Sequence, residues 1–323
     1  MSGTATDHGL TGTKRPTRRA YSDALLALGA ADPDFLVFEA DIGYSTYTYL
    51  FGDAYPDRYF NVGIAELGMV ATAAGAASSG RTVVCSTYGV FMTMRALEAI
   101  RSFVCYPNLN VKFLSSHGGI TAAIDGVTHQ ATEDIAAMSQ IPNMKVLVPA
   151  DPTAAEAAAH IALETPGPVF TRLMRDPLYE LYDSNAQFTL GGSHTIRPGR
   201  DVTIVSYGDI VFQALAAADL LAAEGIAAEV IDLYSIKPYD REAVLDSIKK
   251  TRALVVAENH QKKNGVGYEL AHLALTECPV PFVGLGLADT FAESGAYSKL
   301  LDKYGLSAQH IAEAARRLVK HKG

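Results

Sequence analysis

Cysteine is scarce in this sequence of 323 residues, which contains Cys85, Cys105 and Cys278 and no others. The number is odd and no CxxC spacing occurs, so the sequence supports neither a disulfide framework nor a zinc ribbon. Proteins without a disulfide framework are usual in reducing compartments. We therefore expect a cytoplasmic protein.

Excess basic charge and long apolar runs are lacking as well. The net charge is −8 at pH 7, whereas a nucleic-acid-binding surface needs a basic patch. No apolar run approaches the roughly 20 residues that cross a bilayer. The basic residues near the N-terminus are not followed by the apolar core of a secretory signal. Neither nucleic acid nor a membrane is expected as a partner, and residues 1–16 are expected to form a disordered lead.

Short apolar runs do occur, and they alternate regularly with helix-like segments. The chain is long enough for about two domains. The alternation extends over residues 17–180, lapses over the polar residues 181–198, and resumes over residues 199–323. Strands that alternate with helices in this way favour parallel sheets covered on both faces. The sequence therefore predicts an α/β protein with two consecutive doubly wound parallel-sheet domains joined by a linker.

A single acidic residue, Glu66, lies in the otherwise apolar segment NVGIAELGM (61–69). The predicted helix around it is apolar almost all round, so it should be buried. A buried carboxylate is costly unless it is paired, although a position in the first helical turn favours negative charge. A carboxylate with a functional role and one that simply points into solvent remain alternatives here.

A second polar segment, SHGGITAAIDGVTHQATED (116–134), follows the predicted strand VKFL (111–114). Open α/β sheets bind ligands beyond the carboxyl ends of their strands. His117, Asp125 and His129 could lie in a solvated loop, hold a metal, or line a polar pocket in which imidazoles bind hydroxyl oxygens. Their spacing matches no compact metal motif, so no metal ligands are predicted.

Two arginines, Arg172 and Arg175, end another predicted strand, PVFTRLMR (168–175). A guanidinium at such a position can bind a phosphate or carboxylate through two parallel hydrogen bonds. An ordinary surface salt bridge is the more common role of any one arginine. Both alternatives stay open at this point.

Several motifs, taken in order, resemble one known family. They are NVGIAELGM, STYGVFMTMRALEAIR, SHGGITAAIDGVTHQ, IPNMKVLVPAD and GPVFTRLMR. Together they resemble the C-terminal half of transketolase, in which a pyrimidine-binding domain precedes a C-terminal domain. The resemblance covers the chain from about Arg18 to its end. Several short motifs in the right order are far more specific than any one of them.

The resemblance implies thiamine diphosphate as the cofactor. Glu66 corresponds to the family's glutamate that hydrogen-bonds N1′ of the aminopyrimidine and so promotes formation of the ylid that attacks the substrate. Tyr88 and Phe91 correspond to aromatic residues that pack on the pyrimidine ring. In this division of labour the cofactor carries the difficult chemistry and the protein tunes it.

The resemblance also implies roles for polar residues. His117 and His129 join Glu66 as catalytic residues, with His129 near the carbonyl oxygen under attack. The substrate-binding residues are those that correspond to family contacts with sugar hydroxyls or phosphate: Asp125, His117, Arg175, Arg18 and Ser45. The sequence departs from the usual family pattern at Gly118 and Ile124, where acidic residues are common, and at Met94, where an aromatic is common.

The activity implied is transfer of a two-carbon ketol unit from a ketose phosphate to an aldose or aldose phosphate. The family's diphosphate-binding domain has no counterpart in this sequence. The expectation is therefore a split transketolase, in which a separate N-terminal subunit holds the diphosphate and Mg²⁺, and two copies of each subunit form an α2β2 heterotetramer. The alternatives are the β subunit of a 2-oxoacid dehydrogenase decarboxylase, a deoxyxylulose-phosphate synthase and a non-catalytic partner subunit.

Overall fold

Residues 13–322 are described by the structure, a computed structural model. The expected lead of residues 1–16 falls mostly outside them. Residues 15–16, at its end, form a short strand that pairs with residues 177–178. The strands are β1 (Arg15–Pro16), β2 (Leu36–Glu39), β3 (Tyr59–Asn61), β4 (Val83–Tyr88), β5 (Val111–Ser116), β6 (Lys145–Leu147), β7 (Val169–Arg172), β8 (Pro177–Leu178), β9 (His194–Arg197), β10 (Val202–Ser206), β11 (Ala228–Asp232), β12 (Ser235–Lys237), β13 (Leu254–Gln261) and β14 (Phe282–Leu287).

The helices alternate with these strands. They are α1 (Thr17–Ala31), α2 (Gly43–Thr46), α3 (Tyr49–Ala54), α4 (Glu66–Ser78), α5 (Gly89–Arg95), α6 (Leu97–Ala99), α7 (Asp134–Gln140), α8 (Pro152–Glu164), α9 (Ile210–Ala222), α10 (Arg241–Thr251), α11 (Val266–Glu277), α12 (Tyr297–Lys303) and α13 (Ala308–His321). A π-helical turn (Ile100–Cys105) follows α6. Among residues 13–322, no helix is both long and apolar enough to cross a membrane.

Two α/β sheets confirm the predicted fold class. The first has the strand order β12-β6-β7-β5-β4-β2-β3, and the second has the order β14-β13-β10-β11-β9. Their central strands are parallel. Because both faces of such a sheet are covered by helices, its strands are apolar throughout rather than alternating.

The sheets differ from the purely parallel prediction at two edges. β9 lies within the segment expected as a linker and pairs antiparallel with β11 of the second sheet. β12 comes from the second half of the chain but pairs antiparallel with β6 of the first sheet. Such edge strands are common additions to parallel sheets. β12 is only three residues long and follows a buried strand closely, so the sequence pattern gave no signal for it.

The hydrophobic core links the two halves. One face of the first sheet packs against α1 and α8. The core cluster on this face includes Tyr21 from α1, Leu114 from β5 and Ala159 from α8. The cluster on the other side of that sheet also takes in Val205 and Leu233 from the second half of the chain. The two sheets therefore share a core, which fixes the second domain against the first.

Candidate functional site

The candidate site lies at the carboxyl edge of the first sheet. β7, β5, β4, β2 and β3 are parallel neighbours, so the segments after them meet at one edge. Ser45 follows β2, Glu66 follows β3, Tyr88 ends β4, His117 follows β5 and Arg175 follows β7. Ligands bind at this edge in open α/β sheets. The topology thus brings together residues that are far apart in the sequence.

Glu66 is the first residue of α4, and only 4% of its surface is exposed. Arg95, at the end of α5, donates a 2.8 Å hydrogen bond from Nη1 to Glu66 Oε1. The Arg95 guanidinium lies 4.2 Å from the centre of the Phe91 ring. Within residues 13–322, Glu66 Oε2 receives no hydrogen bond. Of the two alternatives for Glu66, the structure selects the buried and paired carboxylate.

An aromatic cluster lies beside this carboxylate. The rings of Tyr88 and Phe91 are stacked, with centroids 5.7 Å apart. His117 is 4.0 Å from the Tyr88 ring, and His129 is 5.4 Å from the Phe91 ring. Four of the predicted site residues therefore contact one another through their rings.

His117 is buried, and its backbone adopts the left-handed conformation with a φ of 62°. Non-glycine residues adopt this conformation at a cost and often at functional sites. Burial, together with the positive charges of Arg18 and Arg175, lowers the pKa of His117 to about 2. The ring is therefore neutral at physiological pH. Its Nδ1 lies 3.0 Å from Ser116 Oγ, and within residues 13–322 its Nε2 has no hydrogen-bond partner.

The second imidazole, that of His129, is partly exposed. Its Nδ1 lies 2.9 Å from Thr128 Oγ1. The two predicted catalytic histidines thus share one arrangement, in which Nδ1 is engaged by the hydroxyl of the preceding residue and Nε2 remains available.

Arg18 and Arg175 supply positive charge at the edge of the cluster. Arg18 Nη1 donates to Ser45 Oγ at 2.8 Å, and Tyr88 donates its hydroxyl to the same oxygen at 2.8 Å. Among residues 13–322, the buried Arg18 Nε has no hydrogen-bond partner. Burial lowers the pKa of Arg18, and Arg175 contributes in the same direction. Two guanidiniums that destabilise each other in this way are suited to hold an anion between them.

Asp125 belongs to the same edge of the site. Its Oδ2 lies 3.9 Å from Arg175 Nε, and the residue is exposed. Arg172 behaves differently: it is fully buried and forms an ion pair with Asp134 at 3.1 Å. Arg175 is therefore partly exposed beside Asp125, whereas Arg172 is turned into the protein interior.

The donor set does not suggest a metal centre. Within residues 13–322, no group of three or more His, Cys, Asp or Glu side chains is placed to hold a metal ion. The carboxylate and the stacked rings instead fit a flat nitrogen heterocycle, because such a ring needs an acidic edge partner and an aromatic face.

Two residues of this region were missed from the sequence. Arg95 follows Phe91 by four residues, so the two share a helix face, and this spacing could have revealed the pair. Asn259 contacts the His117 segment from β13, 139 residues after Ile120. No local signal could have identified it.

Comparison with known proteins shows the family of the chain. Residues 13–179 match the transketolase pyrimidine-binding domain, and residues 191–311 match the transketolase C-terminal domain. The 6-deoxy-6-sulfo-D-fructose transketolase subunit SqwH of Clostridium sp. (strain MSTE9) is 38% identical over 94% of this chain and 95% of its own length. Human transketolase is 34% identical over 95% of this chain but only 50% of its own length.

Solved structures give the same result. A structure described as "Split gene transketolase, inactive beta4 tetramer" superposes with a TM-score of 0.88 and is 41% identical. The match covers 96% of this chain and 100% of that one. This chain therefore belongs to the transketolase family and corresponds to the C-terminal subunit of a split transketolase, with a pyrimidine-binding domain followed by a C-terminal domain.

Proposed function

We propose that this chain works with a separate diphosphate-binding subunit to transfer a two-carbon ketol unit from a ketose phosphate to an aldose or aldose phosphate. The observation that carries the proposal is the buried Glu66 carboxylate, which pairs with Arg95 beside the Phe91 ring. The Phe91 and Tyr88 rings in turn contact each other and two imidazoles. Family membership makes the chain a transferase subunit, and this geometry supports the roles of its residues.

Thiamine diphosphate is the proposed cofactor, and when bound it supplies the carbon nucleophile that attacks the ketose carbonyl. Glu66 would hold the proton at N1′ of the aminopyrimidine through its free Oε2. Phe91 and Tyr88 would pack against the ring. Arg95 keeps the carboxylate in place through Oε1.

His117 and His129 are proposed to hold the carbonyl and hydroxyl oxygens of the substrate. Because His117 is neutral, its Nε2 can donate or accept one hydrogen bond but does not bring a positive charge to the reaction. His129 is the more exposed of the two and is the proposed partner of the carbonyl oxygen. Asp125 would accept a hydrogen bond from a sugar hydroxyl.

The other end of the substrate is proposed to be anionic. Arg18 and Arg175 repel each other, and a phosphate between them would relieve that repulsion. Ser45 orients Arg18 through a 2.8 Å hydrogen bond. A sulfonate offers similar oxygen acceptors, so the two kinds of end group need to be compared directly.

A partner subunit is proposed to cover the face that carries Glu66. Three large apolar side chains are exposed around the Glu66–Arg95 pair: Ile64 at 76%, Leu67 at 52% and Met94 at 49%. Exposed apolar residues grouped around a polar site mark protein interfaces. The partner would hold the diphosphate and Mg²⁺, and an α2β2 heterotetramer is the simplest closed assembly. The cytoplasm is the proposed compartment, because all three cysteines are buried and free.

The experiment is to reconstitute the chain with its partner, thiamine diphosphate and Mg²⁺. Xylulose 5-phosphate with an aldose phosphate should give ketol transfer. A matching donor with a sulfonate in place of the phosphate tests which anionic end group the site prefers. Turnover of pyruvate without ketol transfer would instead assign the chain to the 2-oxoacid dehydrogenase type. A complex that binds the cofactor but turns over neither substrate would mark a non-catalytic subunit.

A further inference from the structure

The segment of residues 117–131, here called the substrate loop, contains His117, Asp125 and His129. It leaves the first sheet at the end of β5, yet many of its contacts are with the second domain. We propose that the C-terminal domain positions the substrate loop, with Ile120 and Asn259 as the positioning residues. This inference rests on the proposed function for its catalytic meaning.

Ile120 is the first contact. Its side chain is fully buried, and it packs in a hydrophobic cluster with Val202, Ile204 and Val255. Among residues 13–322, Ile120 is the sole member of that cluster that precedes residue 196. A catalytic segment of the first domain is thus anchored by its side chain in the core of the second.

Asn259, on β13, is the second contact. Its Oδ1 accepts a 2.9 Å hydrogen bond from the Ile120 backbone N–H, and its Nδ2 donates to the Tyr297 hydroxyl at 2.9 Å. The Asn259 carbonyl oxygen accepts from Arg172 Nη2 at 2.6 Å. All of these groups except Tyr297 are almost completely buried. Water therefore cannot readily replace the partners of the Asn259 side-chain amide, and loss of these hydrogen bonds is costly.

The far end of the loop is held in the same way. Gln130 Nε2 donates to the Glu293 carbonyl oxygen at 3.2 Å, and the Gly295 backbone N–H donates to the Ala123 carbonyl oxygen at 3.3 Å. The loop is therefore bound to the C-terminal domain on both sides of Asp125 and His129. Two-ended attachment restricts the positions of the side chains between the attachment points.

Two glycines, Gly118 and Gly119, allow the substrate loop to lie close to the side chains of Arg172 and Asn259. A Cβ atom on Gly118 would overlap with the Arg172 side chain, and one on Gly119 would overlap with Asn259. Gly119 also has a positive φ of 60°, which favours glycine. The departure from an acidic residue at Gly118 therefore has a physical reason: the buried Arg172 occupies the space that a side chain would need.

The experiment uses the full chain and hydrogen exchange of peptides that cover residues 117–131. Ile120→Ala is compared with Ile311→Ala, because both isoleucines are fully buried in the same cluster but only Ile120 lies on the loop. Ile120→Ala should speed exchange of the loop by about tenfold or more, the effect expected for loss of one well-anchored contact. Ile311→Ala should leave loop exchange close to wild type while loosening the second domain.

A second pair tests the hydrogen bond. Asn259→Ala removes the acceptor for the Ile120 N–H. Tyr297→Phe leaves that acceptor in place and removes the hydroxyl that accepts from Asn259 Nδ2 and donates to Asp209 Oδ2. Asn259→Ala should speed loop exchange and, in the reconstituted complex, raise KM for the ketose donor by about tenfold. Tyr297→Phe should keep both values near wild type.

Loop exchange that is unchanged in Ile120→Ala and Asn259→Ala, or changed equally in their controls, would overturn the positioning role. Failure of the proposed function would look different. The wild-type complex would then lack ketol transfer, while the exchange of residues 117–131 in the four variants would still decide whether the C-terminal domain fixes the loop.

Discussion

Replacing Glu66 by glutamine removes one negative charge and keeps the shape of the side chain. The carboxylate is 4% exposed, but the side chain of its partner Arg95 is 50% exposed. When the charge is lost, the guanidinium can turn to water, so little is left buried and unpaired. Half-exposed ion pairs contribute about 1 kcal/mol or less. The melting temperature should therefore fall by no more than about 2–4 °C.

The effect on activity should be much larger. An amide in place of the carboxyl group cannot hold a proton at the ring nitrogen in the way that Glu66 is proposed to do. Positioned proton-transfer groups typically contribute about 10²- to 10⁴-fold to the rate. We expect kcat of the reconstituted complex to fall by that range, with cofactor and Mg²⁺ at saturation.

The assay pairs ketol transfer with thermal melting. Glu224→Gln is the matched control, because Glu224 also forms a 2.6 Å ion pair with an arginine, Arg316, but lies in the second domain. The control should lose no activity. If Glu66→Gln retained activity within a few-fold of the wild type while its cofactor site was saturated, Glu66 would not be the activating residue and the assignment of the site would be wrong.

Other predictions cover the anion, the imidazole, the loop and the cofactor. Arg175→Ala should raise KM for a ketose phosphate by about 10- to 100-fold, because it removes a charge-assisted hydrogen bond. KM for a short uncharged donor should change little. Equal effects on both donors, or a similar effect in the control Arg316→Ala, would contradict the phosphate role. NMR should show no protonation of His117 near its ordinary pKa of 6.5, because burial holds the folded pKa near 2. Between pH 6.5 and 2 only the unfolded chain binds a proton at this residue, so His117 lowers the free energy of unfolding as the pH falls through that range. An NMR titration midpoint near 6.5 would refute the burial of His117. Gly119→Ala should lower the free energy of unfolding, measured by chemical denaturation, by about 2–4 kcal/mol, because Gly119 has a positive φ and the added Cβ would overlap with buried groups. The control Gly75→Ala should raise it by about 0.5–1 kcal/mol, because Gly75 has a helical backbone and open space for a Cβ. Calorimetry of the isolated chain should show weak binding of thiamine diphosphate, and tight Mg²⁺-dependent binding would contradict the need for a partner.

Much of this protein was determined by local sequence. The alternation of apolar runs with helical segments was sufficient for the α/β class, because parallel strands buried on both faces have continuous apolar sequences. The order of short motifs indicated the family and picked out Glu66, Tyr88, Phe91, His117 and His129, which the structure brings together. These residues lie at the ends of strands or in the turns and helices that follow them, and strand ends are visible in the sequence pattern.

The tertiary structure alone decided which side chains meet. Arg172 and Arg175 look equivalent in sequence, yet one is buried against Asp134 and the other faces Asp125. The capture of Ile120 by the second domain's core depends on contacts between residues far apart in the chain. Local patterns record the period of a strand or helix and the residues at its ends. They do not record which distant surface will cover a given side chain, because that is set by how the two sheets pack.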